Sequence, residues 1–499
     1  MRRKEIIKDA GIYTLSSYAA QIFDLINGIL VRRFLGPTNM GIWAFLQVIQ
    51  NYAKHAGLGV TMATARDVPY FLGKGDRDKA HQIQNLVFSF TLLTALVVAL
   101  GIFAFAWGSR PRYSQPIFYG FVVVAVLIIL QRLYNLFVVL LRSYKEFVFA
   151  GFLNIASSIA SVFLTVLLAW KFRLYGFYVA VVLNYLLMLA LILWRTPYRF
   201  SFHFDFLGLL PLLNLGLAVL FSDIFRTILM TIDRIMIAKF LGFEELGHYS
   251  IALMASNYLY SLPNMLSIIF FPHLQEVFAQ RDRSEDLERF LREPTLCLAY
   301  LFPFLIGLAW SAATWLVPVV LPQYVHGIPA LQYLVLGSFF TALSHSFSNF
   351  MITIKKQWQL VPLLGFSIVF GFALTGIFIQ MGWGIQGVAF AGSLISLVYF
   401  LLLSSVSFRH IDQGKSLVFL YARLFGIFGA MTVALFFVNR GFYWLENGFF
   451  KFVLEYSVFF LLMSPFLWLA EKEMKIVSTL FMLLGNLSRQ RMGLRNHAV

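Results

Sequence analysis

Apolar residues run along this chain in long blocks, separated by short clusters of charge, glycine and proline. A helix needs about 20 mainly apolar residues to cross a hydrocarbon layer about 30 Å thick. Measured against that length, the blocks predict fourteen membrane spans, near 10–32, 41–63, 83–107, 116–141, 147–170, 174–194, 208–238, 246–271, 293–316, 328–352, 358–380, 385–407, 416–438 and 450–470. A shorter amphipathic stretch, 474–487, predicts a surface helix. The longest connection, PHLQEVFAQRDRSEDLERFLR at 272–292, predicts a charged surface helix too small to be a catalytic domain. The opening MRRKEIIKD looks like the start of a signal peptide. The stretch after it is polar-speckled, too long and without an A-x-A-like cleavage site, which predicts a retained first span.

Charge placement tests the count. If the N-terminus faces the cytoplasm, 25 of the loop lysines and arginines fall on the inner side and 9 on the outer, alternating along the chain. That asymmetry is what the positive-inside rule demands. It supports fourteen spans with both termini inside. The composition agrees: 60% of the 499 residues are hydrophobic and 12% charged, against about 45–50% and about 25% in soluble domains. The net charge of +16 then belongs to the inner loops, and nucleic acid is not expected as a partner. With a single cysteine, Cys297, no internal disulfide or Cys-rich metal site can form.

Two regions repeat. RRFLGPTNMGIWAF after the first span matches AKFLGFEELGHYSI after the seventh, with Gly36 and Gly41 opposite Gly242 and Gly247. Farther on, Lys145 and Gly176 are matched to Lys356 and Gly387. The order predicts an all-α polytopic membrane protein of about 14 transmembrane helices. Two six-helix lobes (1–200 and 201–410) would form a pseudo-twofold arrangement. Two further helices and a cytoplasmic tail (411–499) complete the chain. Substrate sites in parallel-repeat transporters lie at the repeat interface. Gly36 and Gly242 are expected to reverse the chain where a side chain would be strained.

The segments FLGPTNMGIWAFLQVIQNYAKHAGLG and DVPYFLGKGDRDKA, with IDRIMIAKFLGFEELGHYSIA and IIFFPHLQEVFA, resemble the bacterial polysaccharide (oligosaccharide-lipid) flippases. These belong to the multidrug/oligosaccharidyl-lipid/polysaccharide exporter superfamily. The resemblance implies a cytoplasmic-membrane transporter, not an enzyme. Its substrate would resemble undecaprenyl diphosphate carrying a surface-polysaccharide repeat unit (O-antigen, capsule or exopolysaccharide), moved by alternating access. Membrane lipids and the pathway's polymerase or glycosyltransferases would be its partners.

Charges inside apolar spans are costly and mark function by default. In the seventh span Asp223, Arg226, Thr227, Met230 and Arg234 form one stripe at three- and four-residue steps, with Asp233 beside it. Lys54 and His55 in the second span and Arg132 in the fourth have no acidic neighbour within a helical turn. The bland reading is a salt-bridge cluster that fixes packing. The sharper one is a wet cationic cavity in which Arg226, Arg234, Lys54, His55 and Arg132 meet a diphosphate. Asp24, Asp223 and Asp233 are the carboxylates available for ion coupling, although Asp24 could instead answer Lys54 or His55. Arg66 and Asp67 read as a local pair at the membrane edge. Ser338, Thr341, His345, Ser348 and Asn349 form a polar face that reads either as an interhelical seam or as sugar contact through His345 and Asn349. No phosphate-cradling ATPase loop and no metal-ligand spacing occurs, so neither cofactor nor metal is expected. Two alternatives stay open: a cation-coupled multidrug exporter of the same superfamily, which would need an acidic cavity, and a membrane-embedded polymerase or glycosyltransferase, which would need a large catalytic loop. The saccharide, the coupling ion and the choice among surface-polysaccharide, lipid II and teichoic-acid precursors are not encoded legibly.

Overall fold

The structure is a computed structural model. It describes residues 3–474 except 197–199, 203–204, 281–283, 412–413, 443 and 446–447. The amphipathic stretch expected at 474–487 therefore falls almost wholly outside the described residues, as do Arg281 and Arg283 of the long connection. All regular structure among the described residues is helical, as hydrocarbon requires, because a helix satisfies its own backbone hydrogen bonds. Among the described residues, nine stretches are long and apolar enough to cross a membrane: 77–108, 115–143, 147–195, 291–320, 322–353, 357–380, 384–408, 417–441 and 449–472. The 147–195 stretch covers two expected spans, since Arg173 breaks it at φ 48. Absent from the nine are the first, second, seventh and eighth expected spans. These would open the two expected lobes, and the first, second and seventh of them carry most of the charges read as intramembrane.

The chain forms two compact units, 1–250 and 251–499. In the first, α1 (Arg3–Ala53) is interrupted at Gly36, where φ is 73. After α1 come α2 (Val60–Gly73), α3 (Arg77–Gly108), α4 (Gln115–Ser143), α5 (Phe147–Leu164), α6 (Trp170–Arg195), α7 (Phe206–Leu229), α8 (Ile232–Phe240) and the start of α9 (Phe243–Gln280). Its core joins α2, α3, α4, α5, α6 and α7 through Val60, Val87, Leu136, Leu153, Ile192 and Leu212. Two expected spans are not continuous helices. The one read at 41–63 breaks at 54–59, and the one read at 208–238 breaks at 230–231. Hydropathy misses both breaks because it averages over a window in which apolar residues outweigh the few polar ones at each break.

The glycine turns behave as expected. Gly242 has φ 96, and its N–H bonds to the Ile237 carbonyl at 2.9 Å to close α8. The partner glycines do something the pattern did not show. A Cβ on Gly41 would lie 1.6 Å from the Phe243 carbonyl oxygen, and one on Gly247 would lie 1.9 Å from that of Pro37. The two turns thus pack backbone to backbone, each through the other's glycine. Beside them the buried Arg32 donates to the Ser250 hydroxyl at 3.1 Å and to its carbonyl at 2.9 Å.

The second unit holds the rest of α9, with α10 (Ser284–Val320), α11 (Ile328–Thr353), α12 (Leu360–Gln380), α13 (Gly384–Phe408), α14 (Gly414–Gly441) and α15 (Phe449–Met474). α11 and α13 approach closely because Gly337 leaves room for Ser393, whose hydroxyl donates to the Tyr333 carbonyl. Small residues at such contacts bring helices together where no hydrophobic effect separates lipid from side chain. α15 packs on α10 with Phe459 over Gly307.

The second repeat match needs a shift of one residue. Lys145 and Lys355, not Lys356, both take positive φ, 65 and 59. Lys145 N–H bonds to Arg142 O at 3.0 Å and Glu146 N–H to Leu141 O at 2.8 Å. Lys355 to Ile352 (3.0 Å) and Lys356 to Met351 (2.8 Å) repeat the pattern. The same cap thus ends α4 and α11.

Candidate functional site

Most of the candidate cations sit at two helix breaks of the first unit. α1 ends at Ala53, and a tight 3-10 turn spans Lys54–Gly57. Leu58 (φ 48) and Gly59 (φ 73) then turn the chain into α2. At the second break Thr231, with φ −126, separates α7 from α8. The breaks touch: the Tyr52 hydroxyl lies 2.9 Å from Thr231 Oγ1, and His55 Nε2 lies 2.8 Å from Thr227 Oγ1.

Around this junction Lys54 and Arg234 are near enough to repel each other, and Lys54 Nζ donates to Asn51 Oδ1 at 2.9 Å. Arg132 reaches in from α4. Its Nη2 would lie 2.7 Å from a Cβ on Gly57, so the guanidinium rests against the turn and a side chain there would push it aside. Arg132 is buried, and neither its Nη1 nor Arg234 Nε has a hydrogen-bond partner among the described residues. Among the described residues, no carboxylate lies within ion-pair distance of Lys54, Arg132 or Arg234. A buried nitrogen left unsatisfied costs about 1–3 kcal/mol, more when charged. The cluster is therefore built for an anion or for water. Arg226 lies one turn before the second break and accepts Met230 N–H through its carbonyl.

Two of the candidate acids border the cluster beyond ion-pair distance, Asp233 beside Arg234 and Asp223 beside His55, and the third lies apart. Asp233 accepts the Arg234 N–H at 2.7 Å and lies against Tyr249. Asp223 is an electrostatic neighbour of His55. Asp24 does not answer Lys54 or His55, contrary to one expectation; it meets Ser158 of α5. The Gly36 break explains this. At 1.5 Å per residue, Asp24 stands about 18 Å along one segment and Lys54 about 27 Å along the next. Asp24 belongs to a polar seam in which Asn27 donates to Ser161 (2.8 Å) and Asn184 to Ser157 (3.0 Å).

Arg66 and Asp67 form the expected local pair through two hydrogen bonds, one of them 3.0 Å long. In the second unit Asn349 bonds to His345 at 3.1 Å, and the Tyr260 ring stacks on His345 at 6.0 Å. Thr341 bonds to Ser396 at 3.1 Å, making part of that face an interhelical seam. Sequence reasoning overlooked Tyr52 and Thr231. The G-L-G run at Gly57–Gly59 was the available signal that the second span breaks.

Comparison with known proteins decides the family. Residues 30–326 match the model described as "Polysaccharide biosynthesis protein". The chain belongs to this family. It is 24% identical over 386 residues to the succinoglycan biosynthesis transport protein ExoT of Rhizobium meliloti (strain 1021), covering 75% of this chain and 74% of that protein. Its fold is similar to the lipid II flippase MurJ in an inward closed conformation, with a TM-score of 0.70 and 14% identity over 92% of this chain and 99% of the other. It is similar as well to a multidrug resistance MATE family transporter of the MOP superfamily in an inward-facing conformation (TM-score 0.68, 16% identity, 79% and 94% covered). The family member described here is thus a multi-pass membrane protein whose relatives are transporters and flippases rather than enzymes.

Proposed function

We propose that this family member carries a polysaccharide repeat unit, linked to a polyprenyl diphosphate such as undecaprenyl diphosphate, across the bacterial cytoplasmic membrane. The observation that carries the reading is the cluster of Lys54, Arg132 and Arg234 at touching helix breaks, with buried guanidinium nitrogens unsatisfied and no carboxylate in ion-pair range among the described residues. A cationic drug would be repelled there, and a diphosphate would satisfy the open donors in charge-assisted bonds. ExoT's name points to succinoglycan transport and MurJ's to lipid II. Membership of a polysaccharide biosynthesis family favours a surface-polysaccharide unit for this chain. In this reading both termini are cytoplasmic, two six-helix lobes (1–200 and 201–410) rock in alternating access, and residues 411–499 stand outside them. Arg226 and His55 support the anion site, Asp24 in its seam takes the coupling ion, Asp223 and Asp233 tune the junction, and His345 with Asn349 contacts sugar.

The test is binding of undecaprenyl diphosphate to the purified protein in detergent, with undecaprenol as the uncharged control. Arg234→Gln and Lys54→Gln should each weaken diphosphate binding about tenfold, near 1.4 kcal/mol, and leave undecaprenol unaffected. Unchanged diphosphate affinity in both variants overturns the reading.

A further inference from the structure

We infer that Tyr52, Thr227 and Thr231 are positioning residues that tie the two broken helices together and thereby set the spacing of Lys54 and Arg234 for a diphosphate. The inference rests on the anion reading of the site and adds the device that gives it selectivity.

The hydrogen-bond accounting directs the tie. A helix that stops strands the carbonyls of its last turn. At the end of α7 the Thr231 N–H goes to Ile228 O at 3.0 Å, not to Thr227 O four residues back. The Thr231 hydroxyl replaces the lost bond by donating to Thr227 O at 2.7 Å. Its one proton is then used, so Thr231 Oγ1 can only accept from Tyr52, and Tyr52 donates across the 2.9 Å contact. Thr231 is 2% exposed, which shields this chain of bonds from exchange with water. A second bond, His55 to Thr227 at 2.8 Å, runs beside it. His55 is accordingly engaged in the tie, and its direct role toward substrate is secondary.

Position makes the tie consequential. Tyr52 lies two residues before Lys54, in the last turn ahead of one break. Thr231 lies in the other break, three residues before Arg234 and so on the same side of the chain as it enters α8. Holding Tyr52 to Thr231 holds two like charges together against their repulsion. A monophosphate has only the oxygens of one phosphorus to share between the two cations. A diphosphate carries more charge and spreads its oxygens over two phosphorus atoms, so a pair held apart is spanned better by the diphosphate. A fixed spacing therefore separates a diphosphate from a monophosphate, and the tie is where that spacing is set.

The experiment compares undecaprenyl diphosphate with undecaprenyl phosphate as probes, using the full chain in detergent. Tyr52→Phe removes one hydroxyl and no charge. It should lower diphosphate affinity three- to tenfold with little change for the monophosphate, so that the ratio of the two falls. Thr231→Val should do the same and Thr231→Ser should restore the ratio. Combining Tyr52→Phe with Thr231→Val should cost no more than Thr231→Val alone, because Thr231→Val already breaks the bond that Tyr52→Phe removes. Equal losses for the two probes, or a fall in thermal stability with the ratio unchanged, would assign Tyr52 and Thr231 to folding and overturn the inference. If Arg234→Gln weakens diphosphate binding while Tyr52→Phe leaves the ratio intact, the anion site stands and the tie alone falls.

Discussion

Replacing Gly41 with alanine tests the backbone contact between the two glycine turns. The added methyl would stand 1.6 Å from the Phe243 carbonyl oxygen, 2.6 Å from its carbon and 3.0 Å from Gly247 N. Contacts below 3.0 Å essentially never occur for real Cβ atoms, so the turn must retreat by well over an ångström. All three obstacles are backbone, and no side-chain rotation relieves them. Overpacking of this kind costs about 1–3 kcal/mol and occasionally more. The helix itself pulls the other way, since alanine is favoured over glycine by about 0.8–1.0 kcal/mol in a helix interior. Gly101 supplies the comparison, because a Cβ there meets nothing within 4 Å and only the helical gain remains. Gly41→Ala should therefore lower the melting temperature of the detergent-solubilised protein by a few degrees, and Gly101→Ala should hold or raise it. Melting can be followed by loss of the monodisperse peak in size-exclusion chromatography after stepped heating. If the two variants melt together, the close approach at Phe243 does not hold and the packing argument fails.

Other outcomes rest on particular contacts. Lys145→Gly and Lys355→Gly each relieve a side chain from positive φ and should raise stability by about 1 kcal/mol, measured as a small rise in the same melting assay. Asn85 donates to the Ser201 hydroxyl at 2.9 Å and accepts its N–H at 3.2 Å. Asn85→Ala should speed protease cleavage at the connection between α6 and α7 several-fold, with Asn85→Asp, which keeps the acceptor, falling between. Asp24→Asn keeps a partner for Ser158 but removes the carboxylate. In proteoliposomes it should abolish stimulation of transport by an ion gradient and leave undecaprenyl diphosphate binding within about twofold; persistent stimulation would remove Asp24 from coupling.

Much of the fold was legible because lipid imposes local rules. A span must be apolar over about 20 residues whatever it packs against, so the apolar blocks at 83–107, 116–141 and 328–352 map directly onto α3, α4 and α11. Gly36 and Gly242 were readable too, since positive φ selects glycine from the chain's own sterics. The candidate cations could be named for the same reason: a charge stranded in an apolar run stands out without any knowledge of its neighbours. Tertiary structure decided which of them meet. That Tyr52 reaches Thr231, that Arg132 lies on Gly57 and that Asp24 turns to Ser158 depends on where helices break and how segments far apart in sequence pack. Hydropathy averages over a window and is blind to a break set between apolar flanks. Contact between distant segments has no periodic signature, and the geometry of the junction at Lys54 and Arg234 emerges only once the chain is folded.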